Sequence, residues 1–170
     1  MKKFYHWTHP ERTKSILETG LKPGIELGIR TQYNGVHTDN RFVYLIKNLD
    51  YSSFITRIIT RIYEHFDILT VEMPEYHPIE RDLDAKVLFQ GTNYKNPFQA
   101  MGILMLISKL GIKPRDGKFD LSTPEKIDEL LLSVTDENWD NAIGFYRTPL
   151  TIPNKDEYRI EIYRKRVKNV

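Results

Sequence analysis

The chain has 170 residues, 40% hydrophobic and 28% charged, with no cysteine and a formal net charge of +2. That length suits one domain with a buried core, and the missing thiols exclude disulfide scaffolds, thiolate metal sites, iron–sulfur clusters and cysteine nucleophiles. No run approaches the ~18 apolar residues of a membrane span. Met-Lys-Lys leads straight into aromatic residues rather than a signal-peptide stretch. A cytoplasmic protein without membrane contact is expected. Its basic residues gather towards the end, where 155–170 carry a local +3, a solvated edge or a surface for phosphates.

In chain order, the aromatic segment Lys3 to Thr8 predicts a strand. Thr8 and Glu11 have the spacing of a capping box, Pro10 suits a first turn, and Gly20 ends the helix. Residues 30–40 are turn-rich, and Phe42 to Ile46 predicts a second strand. Behind Asp50, residues Tyr51, Phe54, Ile55, Ile58, Ile59, Ile62, Tyr63 and Phe66 recur at helical spacing and make a broad apolar face. Ile68 to Met73 reads as a strand, and Ala85 to Gln90 as a short one. Pro97 to Leu110 is apolar nearly all round, which predicts a buried helix. Ser122 and Glu125 suggest a capped helix to about Val134; Ala142 to Arg147 and Tyr158 to Arg166 read as closing strands. This order implies an α+β domain over residues 1–170 with a mixed or antiparallel sheet and no glycine-rich phosphate loop.

Familiar catalytic patterns are sparse. The histidines His6, His9, His37, His65 and His77 show no metal-ligand spacing, so no metal is expected, and no nucleophile elbow is present. Asp82 and Asp84 beside Arg81 read as solvated loop carboxylates.

The informative stretch is Tyr5-His6-Trp7-Thr8-His9, then Ser15-Ile16-Leu17 and Gly20-Leu21-Lys22-Pro23. It resembles the opening of the ADP-ribosyltransferase superfamily, where a His-Gly-Thr or His-x-Thr motif ends the first strand and the next helix ends in Gly-Leu. The histidine after the threonine is most similar to toxins that ADP-ribosylate DNA. Tyr44 followed eight positions later by Ser52 resembles the tyrosine–serine pair of the poly(ADP-ribose) polymerase branch, and Pro149-Leu150-Thr151-Ile152-Pro153 resembles the family's closing loop.

The resemblance implies a split β-sandwich with packed helices and NAD in the cleft between two small sheets. The stretch from about 93 to 141 would be a helical insertion. His6 would donate to ribose hydroxyls, the Trp7 backbone and Thr8 would grip nicotinamide, Tyr44 would stack on it, and Ser52 would bond its amide. Tyr146 falls at or near the place of the family's glutamate, beside Arg147; Glu72, Glu157 and Glu161 lie elsewhere. Tyr146 cannot supply a full negative charge, so the expected activity is mono-ADP-ribosyl transfer to a macromolecule, nucleic acid favoured over protein. The alternatives are an NAD-dependent RNA 2′-phosphotransferase, using Arg30, Arg41, His37 and Arg147, or an inactive binding protein of the same fold.

Overall fold

The computed structural model describes residues 1–28, 32–33, 36–37, 39–49, 65–88, 97–114, 116 and 120–166. Its strands are β1 (Lys2–Thr8), β2 (Gln32–Tyr33), β3 (Val36–His37), β4 (Val43–Ile46), β5 (Asp67–Met73), β6 (Glu80–Arg81), β7 (Phe145–Thr148) and β8 (Arg159–Arg164). The helices are α1 (Pro10–Thr19), α2 (Pro97–Lys109), α3 (Pro124–Leu132) and α4 (Asp136–Ala142), with 3-10 turns at Gly24–Leu27 and Leu83–Leu88. The apolar segment beginning at Tyr51 and the position Ser52 lie outside the described residues.

Six strands join in the order β6-β7-β4-β1-β5-β8, each neighbour antiparallel, and β2-β3 form a separate ribbon. The architecture is α+β. Where two small sheets are expected, hydrogen bonds link the six described strands into one. β5 shows why it needs covering on both sides: Ile68, Leu69, Val71 and Met73 are all fully buried.

Strand alternation divides the core. On one face Ile46 and Ile68 pack with Leu106, Ile127, Leu131 and Trp139 from α2, α3 and α4, and with Leu110 just after α2. On the other, Phe4, Leu45, Leu69 and Val71 meet Ile16 of α1, Leu21 and Ile152. Trp139 anchors the first cluster: its ring is fully buried, and its Nε1–H donates to the Phe145 carbonyl at 3.1 Å.

Several expected boundaries move. Thr8 remains in β1, and His9, without a side-chain cap bond, is the N-cap of α1. Thr123 caps α3 by accepting from the Lys126 amide, whereas Ser122 donates to Asp120. The expected helix through Val134 ends at Leu132, because Thr135 caps a new helix with its oxygen on the Asn138 amide. That helix consumes residues up to Ala142 and delays β7 to Phe145, after a left-handed Gly144 (φ +65°). The segment 83–88 is 3-10 helical rather than extended; Asp82 starts the turn by accepting from the Ala85 amide through its carbonyl and from the Asp84 amide through its carboxylate. α2 is not buried all round: Met101, Leu104 and Met105 are exposed.

Candidate functional site

The centre of the sheet is its weakest seam. β1 pairs with β5 along its whole length, and β4 with β7 along its own, but β1 meets β4 only at Tyr5↔Ile46. One residue further, the His6 side chain spans the gap, with Nδ1 2.8 Å from the Tyr44 carbonyl. A carbonyl only accepts, so the proton sits on Nδ1 and the neutral ring presents a bare lone pair at Nε2. Burial pulls the His6 pKa down to about 4, against the opposing effect of the Tyr44 hydrogen bond and with a smaller contribution from the Arg12 charge. In that neutral form Nε2 is able to accept a hydrogen bond and not to donate one.

The neighbours of His6 on β1 differ in setting. Trp7 packs against the cluster around Trp139, and its buried Nε1–H has no hydrogen-bond partner. Thr8 is buried opposite Asp67. Asp67 accepts from the Thr13 hydroxyl at 2.6 Å and from the Arg166 amide at 2.9 Å. These two bonds fasten the start of α1 and the basic end of the chain to one corner of the sheet.

Tyr44 does not share a cleft with His6. His6 lies opposite Leu69, on the face of Phe4, whereas Tyr44 lies opposite Arg147, on the face of Ile46. An odd offset across an antiparallel pair sends the two side chains to opposite faces. The Tyr44 hydroxyl instead accepts from the Asp39 amide at 2.7 Å and faces the Asp39 carbonyl at 3.1 Å and Asp84 Oδ2 at 3.4 Å. Burial, followed by the charges of Asp82 and Asp84, raises its pKa. What Tyr44 gives the seam is its carbonyl.

Around Tyr44 lies a polar network in which Asp82 is not the solvated loop carboxylate expected beside Arg81 but a buried one. Arg147 donates from Nε to Glu80 at 2.6 Å, lies 3.5 Å from Asp84 Oδ2, and holds its guanidinium 4.2 Å from the centre of the Phe42 ring. Asp82 is buried, and its pKa is pushed up to about 6, chiefly by burial and then by the adjacent Asp84. Nothing in Glu80-Arg81-Asp82-Leu83-Asp84 announces this burial, because β6 is two residues long and has no alternation to read.

Tyr146 is committed to packing. Its ring meets Phe4 edge-on at 5.4 Å, and its hydroxyl donates to Asp140 Oδ1 at 2.5 Å. We expect Tyr146→Phe to lower stability by about 1 kcal/mol in urea unfolding. An unchanged unfolding midpoint would show that the bond to Asp140 adds nothing to stability. Glu72, Glu157 and Glu161 offer no replacement acid at the seam. They belong to β5, β8 and the turn before β8, on the flank of β1 away from β4, and Glu157 accepts from the Tyr76 hydroxyl at 2.6 Å.

Among the described residues no helix is long and apolar enough to cross a membrane, and no three histidine or carboxylate side chains converge as a metal site. No family model, curated protein or solved structure matches the chain.

Proposed function

We propose that the chain is an NAD-dependent mono-ADP-ribosyltransferase with a nucleic-acid acceptor, on an ADP-ribosyltransferase-like fold whose two half-sheets are joined at the β1–β4 seam. The observation that carries the reading is the parting of the two central strands at His6, where the motif resemblance puts NAD. A neutral histidine with a fixed tautomer at such a break is arranged for a ligand hydroxyl.

In this reading His6 Nε2 accepts from a ribose hydroxyl, while the backbone at Trp7 and Thr8 holds the nicotinamide amide. The Tyr44 carbonyl fixes the imidazole, and its ring is released from the stacking role. Ser52 keeps its role on the motif alone. The bond between nicotinamide and ribose C1′ breaks with its electron pair leaving on nicotinamide. The acceptor nucleophile forms the new bond at C1′ and releases its proton to solvent. Tyr146, tied to Asp140, gives no carboxylate to activate a second ADP-ribose, so transfer stops after one.

Charge favours nucleic acid as the acceptor. Lys165 and Arg166 are exposed and are held beside Thr8 by the Arg166–Asp67 bond, at the His6 end of β1. The phosphotransferase alternative is less well supported, because its arginines are already neutralised: Arg41 by Asp39, Arg147 by Glu80 and Asp84. Arg30 and the side chain of His37 lie outside the described residues.

Calorimetry with NAD tests the binding step. We expect His6→Ala to weaken NAD by about 1–2 kcal/mol, roughly 5- to 30-fold, without unfolding the chain. Incubation with NAD, DNA and RNA, read by mass spectrometry, should then show single ADP-ribose additions and free nicotinamide. Linked chains would overturn the mono-transfer assignment; nicotinamide release only with 2′-phosphorylated RNA would support the phosphotransferase; and NAD binding without either product would leave an inactive binder.

A further inference from the structure

We propose that a cleft at the Met73 end of β5 binds an aliphatic diamine or polyamine, a ligand separate from the nucleotide assigned to the seam. The cleft has a volume of about 560 Å³, within the range of small-molecule sites. Two turns form it. Pro74 and Tyr76 line it from the turn after β5, and Asp156, Glu157 and Tyr158 from the turn before β8. Glu72 of β5 lines it as well. This end of the sheet, where β1 pairs Lys2 with Met73 and Lys3 with Glu72, is the far end from Thr8. The tyrosines are held in place. Tyr76 is 72% exposed, yet its hydroxyl donates to Glu157 at 2.6 Å and so ties one turn to the other. The Tyr158 hydroxyl lies 3.1 Å from Nδ1 of the buried His77, and the two rings meet edge-on. With both hydroxyls engaged by the protein, the rings offer a ligand their faces. A ring face attracts an ammonium group and packs against the methylenes beside it.

Charge then selects the ligand's sign. Of the charged groups lining the cleft, Glu75 lies 3.0 Å from the Met1 ammonium, Glu157 accepts from Tyr76, and Arg159 reaches Glu161 at 3.9 Å. Glu72 and Asp156 have no ion partner among the described residues. Two unpaired carboxylates in one cleft suit two ammonium groups on one flexible chain, with the methylenes between them against the tyrosine rings. The same carboxylates repel phosphates, which turns nucleotides and nucleic acid away. A bare divalent metal fits less well, because no three carboxylate or histidine side chains converge among the described residues. The aromatic walls give the amine what a compact ion cannot use.

Three probes test the assignment by calorimetry: putrescine, butylamine (the same carbon chain with one ammonium group) and magnesium chloride. They are titrated into the wild type, Tyr76→Gln, and the double variant Glu72→Gln with Asp156→Asn. Asparagine tolerates the left-handed backbone of Asp156 (φ +57°), and glutamine at position 76 can still donate to Glu157, so urea unfolding should find all three proteins folded. The wild type should bind putrescine about 10-fold more tightly than butylamine, and the double variant should lose that preference. Tyr76→Gln should weaken both amines by about 3-fold. NAD should bind the double variant as it binds the wild type, so the fate of the amine site leaves the reading of the seam untouched. A wild type that does not bind putrescine would overturn the proposal. So would a double variant that keeps the preference for putrescine. Magnesium displacing putrescine at equal concentration would show a site for charge alone and overturn the amine assignment.

Discussion

Gly20→Ala is expected to destabilise the protein by about 3–5 kcal/mol. Gly20 ends α1 at φ +88° and ψ 177°, a conformation open to little but glycine. A Cβ there would lie 2.3 Å from the Ile152 carbonyl oxygen and 2.8 Å from Pro153 Cα, both backbone atoms. The closing segment would have to withdraw, and with it the reciprocal 2.8 Å bonds between the Leu21 and Ile152 amides and carbonyls. Gly28→Ala is the control: its φ is +66°, but nothing lies within 4 Å of the added carbon, so it should cost only about 1 kcal/mol of backbone strain. Urea unfolding of the two variants measures the difference. Equal losses would show that the clash with Ile152 is relieved at little cost.

Asp82→Asn is expected to stabilise the protein by about 2–3 kcal/mol above pH 6 and to have little effect below pH 4. Asp82 in the folded chain keeps its proton up to about pH 6, whereas the unfolded chain releases it near the ordinary carboxylate value. Between those values the folded state binds more protons, so its stability falls as pH rises, and above pH 6 the full cost of the buried charge remains. Asparagine removes the charge and can keep its oxygen on the Asp84 amide. His6 acts with the opposite sign. Its folded pKa of about 4 lies below the ordinary value of about 6.5, so acid favours the unfolded chain between those limits. The two contributions offset each other in the wild type, while His77, whose pKa burial also lowers, adds to the effect of His6. Asp82→Asn should therefore lose stability steeply from pH 6.5 to 4, over a range where the wild type changes much less. Denaturation midpoints across that range decide it. A variant that parallels the wild type would mean that Asp82 is already ionised without penalty.

These two sites also mark how much could be read before folding. Gly20-Leu21 and Pro149-Leu150-Thr151-Ile152-Pro153 stand out as motifs because glycine, proline and apolar spacing are local signals. The chain alone likewise determined the strand that ends at Thr8, the strand Ile68 to Met73, and the α+β composition, each set by short-range propensity and alternation. Nothing local says that the two motifs touch. Their contact depends on the chain after α1 turning back so that Leu21 pairs with Ile152, 131 residues further along.

The site shows the same division. His6 was legible as a candidate, but its tautomer was not, since that follows from a carbonyl 38 residues further along the chain. Tyr44 has its expected strand yet faces the other way, because a single register pair, Tyr5↔Ile46, decides which face every side chain takes. The burial of Asp82 and the tie from Tyr146 to Asp140 likewise arise only when separate elements meet. Propensity and periodicity act over a few residues, so the sequence by itself determined the elements and named the motifs. Register, desolvation and charge pairing act between segments far apart in the chain, and tertiary structure alone decided which of those residues face one another.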